Sequence, residues 1–397
     1  MNILKSQKRC MSYLTSSCLM AASMGLVTTA AHGGGFDEAL ASGKASVDMR
    51  LRYEAADDST NKGAKAGTLR TRLGYQTGGY KNLFAFGEFE DVRLFAGLDE
   101  YAPLMAGYAT VADPEVTQLN QALIGYKGLP ETTVKVGRQR LILDNARHVG
   151  NVGWRQNEQT FDAVSLLNTS IPDSTLTYVY VDKVNGILEK FDADVSSHLL
   201  NATYSGFKPG KITGYAYMLE DDDVKAENDT YGLRFSGKSE LSEDSTLLYT
   251  AEFASQSTDA NDATYTFIEG GVKVSGVTAK LGYEILGSDN STYGFQTPLA
   301  TKHAFNGWAD QFLVTPAEGL QDLMVSVGTK VAGIKLLGVY HDFSADKGDA
   351  DYGTEVNLLA AKKFGKRYTL GIKNASYRKD TYKADTDKLW VWGQLKI

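Results

Sequence analysis

From residue 44 onward, apolar and polar side chains alternate along the chain, segment after segment. In Val47-Asp48-Met49-Arg50-Leu51-Arg52-Tyr53-Glu54 every odd position is apolar and every even one is charged. The same two-residue period runs through Leu69-Arg70-Thr71-Arg72-Leu73, Tyr231-Gly232-Leu233-Arg234-Phe235 and Ala279-Lys280-Leu281-Gly282-Tyr283-Glu284. Successive side chains of a β-strand point to opposite faces, so each stretch reads as a strand with one apolar and one polar face. Eighteen such segments are predicted, near 44–54, 67–77, 81–92, 118–127, 131–142, 159–169, 173–183, 196–206, 210–220, 228–238, 244–256, 264–275, 277–287, 320–330, 333–343, 352–364, 367–378 and 387–397. Most have the length of about 9–11 residues that a tilted strand needs to cross a bilayer.

The connections separate a membrane barrel from a soluble sandwich. After every second strand the link is short and turn-like, as in Gly78-Gly79-Tyr80, Gly128-Leu129-Pro130, Lys208-Pro209-Gly210, Ser275-Gly276, Ala332-Gly333 and Gly365-Lys366. Links after the odd strands are mostly longer, more acidic and more irregular. Sorting of loops by parity is the mark of a bacterial outer-membrane barrel, with short periplasmic turns and longer external loops. The expected fold is therefore all-β, a transmembrane antiparallel barrel of 16–18 strands, wide enough to enclose an aqueous channel. In the last strand, Leu389, Val391, Gly393, Leu395 and Ile397 carry the apolar phase to the end, like the C-terminal segment by which the assembly machinery receives such barrels, although Ile397 stands where an aromatic is usual. Tyr53, Tyr75, Tyr126, Tyr204, Tyr283 and Tyr368 near strand ends fit interfacial girdles against outer-membrane lipid.

Residues 1–31 are expected to be a secretory leader: Lys5, Lys8 and Arg9 precede an apolar run, and Thr29, Ala30 and Ala31 offer a cleavage site. Residues 32–43 then form a short periplasmic segment and 44–397 the barrel. Cys10 and Cys18 both lie in the leader, so no disulfide scaffold or Cys-ligated metal is expected beyond it. Without the leader, 38 basic residues stand against 48 acidic ones, a formal net charge of −10, the wrong sign for a nucleic-acid partner.

Several stretches are more specific. Val134-Lys135-Val136-Gly137-Arg138-Gln139-Arg140-Leu141 is followed by Asp144-Asn145-Ala146-Arg147, Val152-Gly153-Trp154-Arg155-Gln156-Asn157 and Thr160-Phe161-Asp162-Ala163. Together with Arg50-Leu51-Arg52-Tyr53-Glu54 and Thr68-Leu69-Arg70-Thr71-Arg72-Leu73-Gly74-Tyr75, this resembles the alginate-export family of outer-membrane porins. The resemblance implies passive passage through an arginine-lined pore and, in the best-known branch, export of an anionic uronate polymer.

Read from the strands alone, Arg50, Arg52, Arg70, Arg72, Arg234, Lys280 and Lys373 occupy polar phases and should face the lumen. Arginine matches a carboxylate because its planar fork binds two oxygens at once. Glu88, Glu90, Glu252, Glu269, Glu284 and Glu355 share those phases, so the charges either select anions or pair along the wall. Arg138 and Arg140 fall in the lipid-facing phase of Val134 and Val136; they are expected at the external mouth with the 143–158 loop. There Arg138, Gln139, Arg140, Arg147, Trp154, Arg155 and Asp162 capture substrate, or the arginines bridge to Asp144 and Asp162. Loops near 93–117 and 288–319 are long enough to fold inward as constrictions. Asp221-Asp222-Asp223 and Asp349–Glu355 read as solvated loop tips rather than calcium loops.

No catalytic residue, cofactor or metal site is expected. His148, His198, His303 and His341 are scattered, and no nucleophile elbow accompanies them, which argues against a barrel-embedded hydrolase. Residues 32–43 are too few for the plug of an active transporter. A structural or adhesive barrel is disfavoured by the polar lumen. The expected function is a passive channel for polar solutes, anionic saccharides among them, or a general, weakly selective porin whose lumen charges stiffen the wall.

Overall fold

The computed structural model describes residues 35–397; the segment expected to be a leader and both cysteines lie outside the described residues. A short helix, α1 (Phe36–Ala41), precedes β1 (Lys44–Asp58), β2 (Ala64–Gln76), β3 (Leu83–Glu100), β4 (Val116–Leu129), β5 (Thr132–Gln139), β6 (Thr160–Asn168), β7 (Ser174–Asn185), β8 (Ala193–Tyr204) and β9 (Gly210–Asp221). There follow β10 (Ala226–Ser242), β11 (Ser245–Thr258), β12 (Asp262–Val274), β13 (Val277–Leu286), a small hairpin of β14 (Ser288–Asp289) and β15 (Tyr293–Gly294), then β16 (Leu320–Val331), β17 (Ile334–Ser344), β18 (Asp351–Phe364), β19 (Tyr368–Lys379) and β20 (Thr386–Lys396). Apart from the small hairpin, these strands form one 18-stranded sheet. Every predicted strand is present.

Each barrel strand pairs antiparallel with its neighbours in sequence, and β20 pairs with β1 to close the ring. Closure leaves no free edge, so every ladder group has a partner in hydrocarbon, where an orphan would cost several kcal/mol. The two-residue period sorts the faces. Leu233, Ile268 and Leu281 on the outside are 58, 60 and 56 % exposed, whereas Glu252, Glu284 and Glu355 on the inside are at most 5 % exposed. Apolar surface thus faces lipid, and the charges face a lumen that is itself filled.

The short turns are built by residues that tolerate positive φ. Ser275-Gly276 (φ +46°, +85°) and Ala332-Gly333 (φ +50°, +79°) each join two strands through a two-residue hairpin, whose twist needs positive φ at both positions. Beneath this rim α1 is pinned in place: the Gly78 N–H donates to Ala39 O at 2.8 Å, and Phe36 meets Tyr80 edge-on. The expected short N-terminal segment is thus, from Gly35 onward, a docked helix.

On the other rim three connections are long: 101–115, 140–159 and 287–319. The first is shorter than expected because β3 continues to Glu100. All three turn inward and carry the protein's core with them. Val149, Phe295, Leu299, Ala309 and Phe312 of the second and third cluster with the lumenal side chains Tyr215, Tyr265, Phe343, Tyr377 and Trp390, while Tyr101, Ala109 and Val111 of the first pack against Ala56, Ala64 and Ala66. Phe312 alone lies 4.5 Å from Phe343 and 5.2 Å from Tyr382, ring centroid to centroid, contacts of about 0.5–1.5 kcal/mol each beyond area burial.

Candidate functional site

The lumen wall carries its charge in two arcs. On β19, β20, β1 and β2 stand Lys373, Lys388, Arg50, Arg52, Arg70 and Arg72, interspersed with Asp48 and Glu54; on β11, β13, β16 and β18 stand Glu252, Glu284, Asp322 and Glu355. Loop 140–159 runs between the arcs with matching charge. Its Arg147-His148 stretch reaches the acidic arc: Arg147 Nε donates to Glu284 at 2.8 Å, and His148 lies 3.1 Å from Glu252. Its carbonyl-bearing and acidic stretch, 153–158, reaches the basic arc. Charge pattern thereby fixes which end of the loop meets which wall.

Arg50 shows the principle. Its guanidinium donates to Gln156 Oε1 (2.8 Å) and to the carbonyls of Gly153 (3.3 Å), Trp154 (2.9 Å) and Arg155 (2.5 Å). Arg52 adds the Trp154 carbonyl at 2.5 Å and pairs with Asp113 of the first loop. Arg72 pairs with Glu90 and lies 3.2 Å from Glu158, while Arg70 meets Asp48 at 2.9 Å. Glu158 also pairs with Arg140 and accepts from Asn120 at 2.7 Å. Burial pushes the Glu158 carboxyl upward, but Arg140 and Arg72 outweigh it and hold the group at about 2.

A second brace joins all three loops to the wall. Arg155 donates to Glu54 and Asp310, both at 3.0 Å, and lies 3.7 Å from Asp113. Asp310 also receives Lys388 Nζ (2.7 Å) and faces His303 Nδ1 (2.6 Å). The other ring nitrogen, His303 Nε2, accepts from Lys373 Nζ at 2.7 Å. Burial, with Lys373 beside it, depresses the imidazole to about 3 against the pull of Asp310. The Lys373 ammonium sits 3.9 Å from the Trp308 ring, 4.3 Å from Trp154 and 5.3 Å from Trp390, a caged cation. Trp392 packs on Trp154, so all four tryptophans of the chain meet here. Glu355 completes the seat of loop 287–319 by accepting the N–H groups of Trp308 (2.5 Å) and Ala309 (2.9 Å).

The sequence-predicted residues divide accordingly. Arg50, Arg52, Arg70 and Arg72 point inward but are only 6, 1, 2 and 6 % exposed, because loop 140–159 covers them. Arg50, Arg52 and Arg72 clamp that loop, Arg70 pairs with Asp48 on the adjacent strand, and none of the four lines open water. Glu88 and Glu90 accept from Asn120 and Arg72; Arg234 pairs with Glu252, and Lys280 with Glu269 at 2.8 Å. Gln139 faces inward, bonding the Ala163 carbonyl at 2.9 Å.

Arg138 and Asp162 form the expected bridge, but on the outer surface and not in the mouth. Regular register through Gly137↔Ala163 keeps Arg138 in phase with the lipid-facing Val136, so the 2.8 Å Arg138–Asp162 pair sits on the outer surface near the strand end. There an arginine costs about 0–1 kcal/mol, not the 2–4 of the midplane. Asp144 accepts from Asn201 rather than from an arginine, and Arg147 and Arg155 take more distant carboxylates. Asp113, Glu158, Asn306, Asp310 and Lys388 are not singled out by the sequence, and His303 reads there only as one of four scattered histidines; of these only Lys388 carries a signal, the polar phase it shares with Trp390 and Trp392. Among the described residues no group of three or more His, Cys, Asp or Glu is placed to hold a metal.

The family model described as alginate export matches residues 43–287. No curated protein matches the sequence. Among solved structures, OccAB3 of Acinetobacter baumannii aligns with a TM-score of 0.70 at 16 % identity, covering 90 % of this chain and 100 % of that one. Pseudomonas aeruginosa OccK8 (OprE) gives 0.71 at 16 % identity, covering 90 and 99 %; P. aeruginosa OpdK, solved with vanillate, gives 0.68 at 16 %, covering 89 and 98 %. At that identity the likeness is one of fold.

Proposed function

This chain belongs to the alginate-export family of outer-membrane β-barrels, and from that premise we propose that it is a passive, weakly charge-selective channel for small polar solutes rather than a conduit for a polyanion. One observation carries the reading: the lumenal cations are committed. Arg50 is spent on loop carbonyls, Arg52 and Arg72 face the loop carboxylates of Asp113 and Glu158, and the loop's own Arg147 and Arg155 face the wall carboxylates of Glu284 and Glu54. A polyuronate would have to displace 140–159 to reach the β1–β2 arginines, breaking several charge-assisted hydrogen bonds of about 1.5–3 kcal/mol each. Passage of anionic saccharides is the competing reading and draws on the family's description and the number of lumenal arginines.

Single-channel conductance in planar bilayers, with the reversal potential in a salt gradient, tests it. Small steps, a reversal potential near zero and equal effects of uronate and neutral oligosaccharides of one length are expected. An anion-preferring channel blocked by uronates and not by neutral sugars would overturn it.

A further inference from the structure

Between the outer ends of β7–β11, those of β20 and β1, and the inward loops lies a cavity of about 1500 Å³. It opens on the long-loop side, and its floor is the brace of Arg155, His303, Asp310 and Lys388. An aqueous porin mouth is ordinarily polar; the walls of this one are not. Leu188, Phe191, Val224, Leu299, Leu313 and Val314 line it, and four of these stand far out: Phe191 is 52 %, Val224 70 %, Leu313 42 % and Val314 62 % exposed. They come from three separate connections, 186–192, 222–225 and 287–319, yet face one space. Their exposure contributes nothing to holding the loops down.

Charge around the same space is unbalanced. Asp58, Asp192, Glu220, Asp221, Asp223, Glu227 and Asp259 line it, against Lys190, Lys302 and Lys383 outside the floor. At the floor Asp310 sits between Arg155 and Lys388 and Glu54 pairs with Arg155, so two carboxylates offset two cations. Apolar walls under an acidic rim complement a molecule with a hydrophobic body and a cationic head.

We propose that this vestibule is a capture site for amphipathic cations, alkyl- or arylammonium solutes, held by apolar walls and an acidic rim before they meet the constriction. The proposal deepens the channel reading by naming a solute class, and it rests on that reading. The body packs against Phe191, Leu313 and Val314, and the ammonium stays near the carboxylates at the rim, where water still reaches it. Affinity then grows with chain length, by about fourfold for each added methylene that is buried, and falls with salt because the rim is exposed.

The test applies butyl-, hexyl- and octyltrimethylammonium, below micelle-forming concentration, to the long-loop side of single channels in planar bilayers. The matching alkyl carboxylates and tetramethylammonium serve as comparisons. Block that strengthens with chain length, exceeds that of the carboxylates by tenfold or more, and weakens at least tenfold in a Phe191→Ser/Val224→Ser/Leu313→Ser/Val314→Ser variant is the expected result. Because these side chains lie on exposed loops, the variant's unblocked conductance should match the parent. Equal or stronger block by carboxylates, absence of block, or block unchanged in the variant would each overturn the proposal. Calorimetry on the protein in lipid nanodiscs reads capture without conduction, and conductance in salt alone reads the channel, so failure of either inference is told from failure of the other.

Discussion

Replacing Arg147 with alanine tests whether side-chain charge, rather than backbone packing, holds the lumen loops in place. Arg147 is buried, bonds Glu284 at 2.8 Å and Asn306 at 2.9 Å, and lies 4.8 Å from the Phe305 ring. Its removal leaves Glu284 in the lumen wall with only the Tyr265 hydroxyl (2.6 Å) and Asn306 (2.6 Å) to stabilise its charge. Breaking one partner of a buried pair costs about 3–5 kcal/mol. That loss falls on loop docking, because Arg147 makes no ladder contact in the barrel. The undocked population of 140–159 should therefore rise about a hundredfold to a few thousandfold. The chain has no cysteine beyond residue 18, so Val149→Cys supplies a single buried reporter thiol. Its labelling rate with a small thiol reagent follows the open population when the loop recloses quickly. The rate should rise at least a hundredfold in R147A, with the heat-induced gel shift of the barrel unchanged. Adding E284Q removes the stranded charge and should bring the rate part of the way back. A less than threefold rise with an intact barrel would refute the reasoning and assign the loop's position to backbone packing alone.

Acid should loosen the same loops. Glu158 is held at about 2 against an ordinary 4.5, and His303 at about 3 against 6.5. Both groups bind protons more readily once undocked, so their contribution is complete above about 6.5 and is lost as pH falls, first through the His303 window and then below 4.5 through that of Glu158. Larger, noisier conductance on acidification is expected, and a record flat from neutral pH to pH 3 would contradict it. Gly307→Ala places a Cβ 2.3 Å from the Glu355 carboxylate at φ +83°, so the 307–309 turn should unseat and V149C labelling accelerate; no change in that rate would show that the turn is not part of the brace. Ile268→Arg puts a charge on the lipid face of β12 at a cost of about 2–4 kcal/mol. Its refolding yield into lipid vesicles should drop and its unfolding midpoint in urea fall, whereas an unchanged midpoint would mean that Ile268 does not face the hydrocarbon.

The barrel was legible in the sequence because its signal is local. A strand declares itself through a period of two over ten residues, and lipid outside a polar lumen forces that period to persist on every strand. Loop parity added the orientation of the hairpins, and the phase of Arg50, Arg70 and Glu284 gave their inward direction. Their surroundings were not legible. Arg50 is 106 residues from Gln156, and Arg147 is 159 from Asn306; nothing near either residue in the chain announces that partner. Three inward loops, placed by ion pairs and aromatic packing across the lumen, turned presumed pore-lining arginines into loop clamps. The sequence by itself determined a ring of strands with apolar and charged faces, since alternation is a one-dimensional property. Only the tertiary structure decided what fills the ring, since pairing across the lumen depends on which segments the closed barrel brings within hydrogen-bond reach.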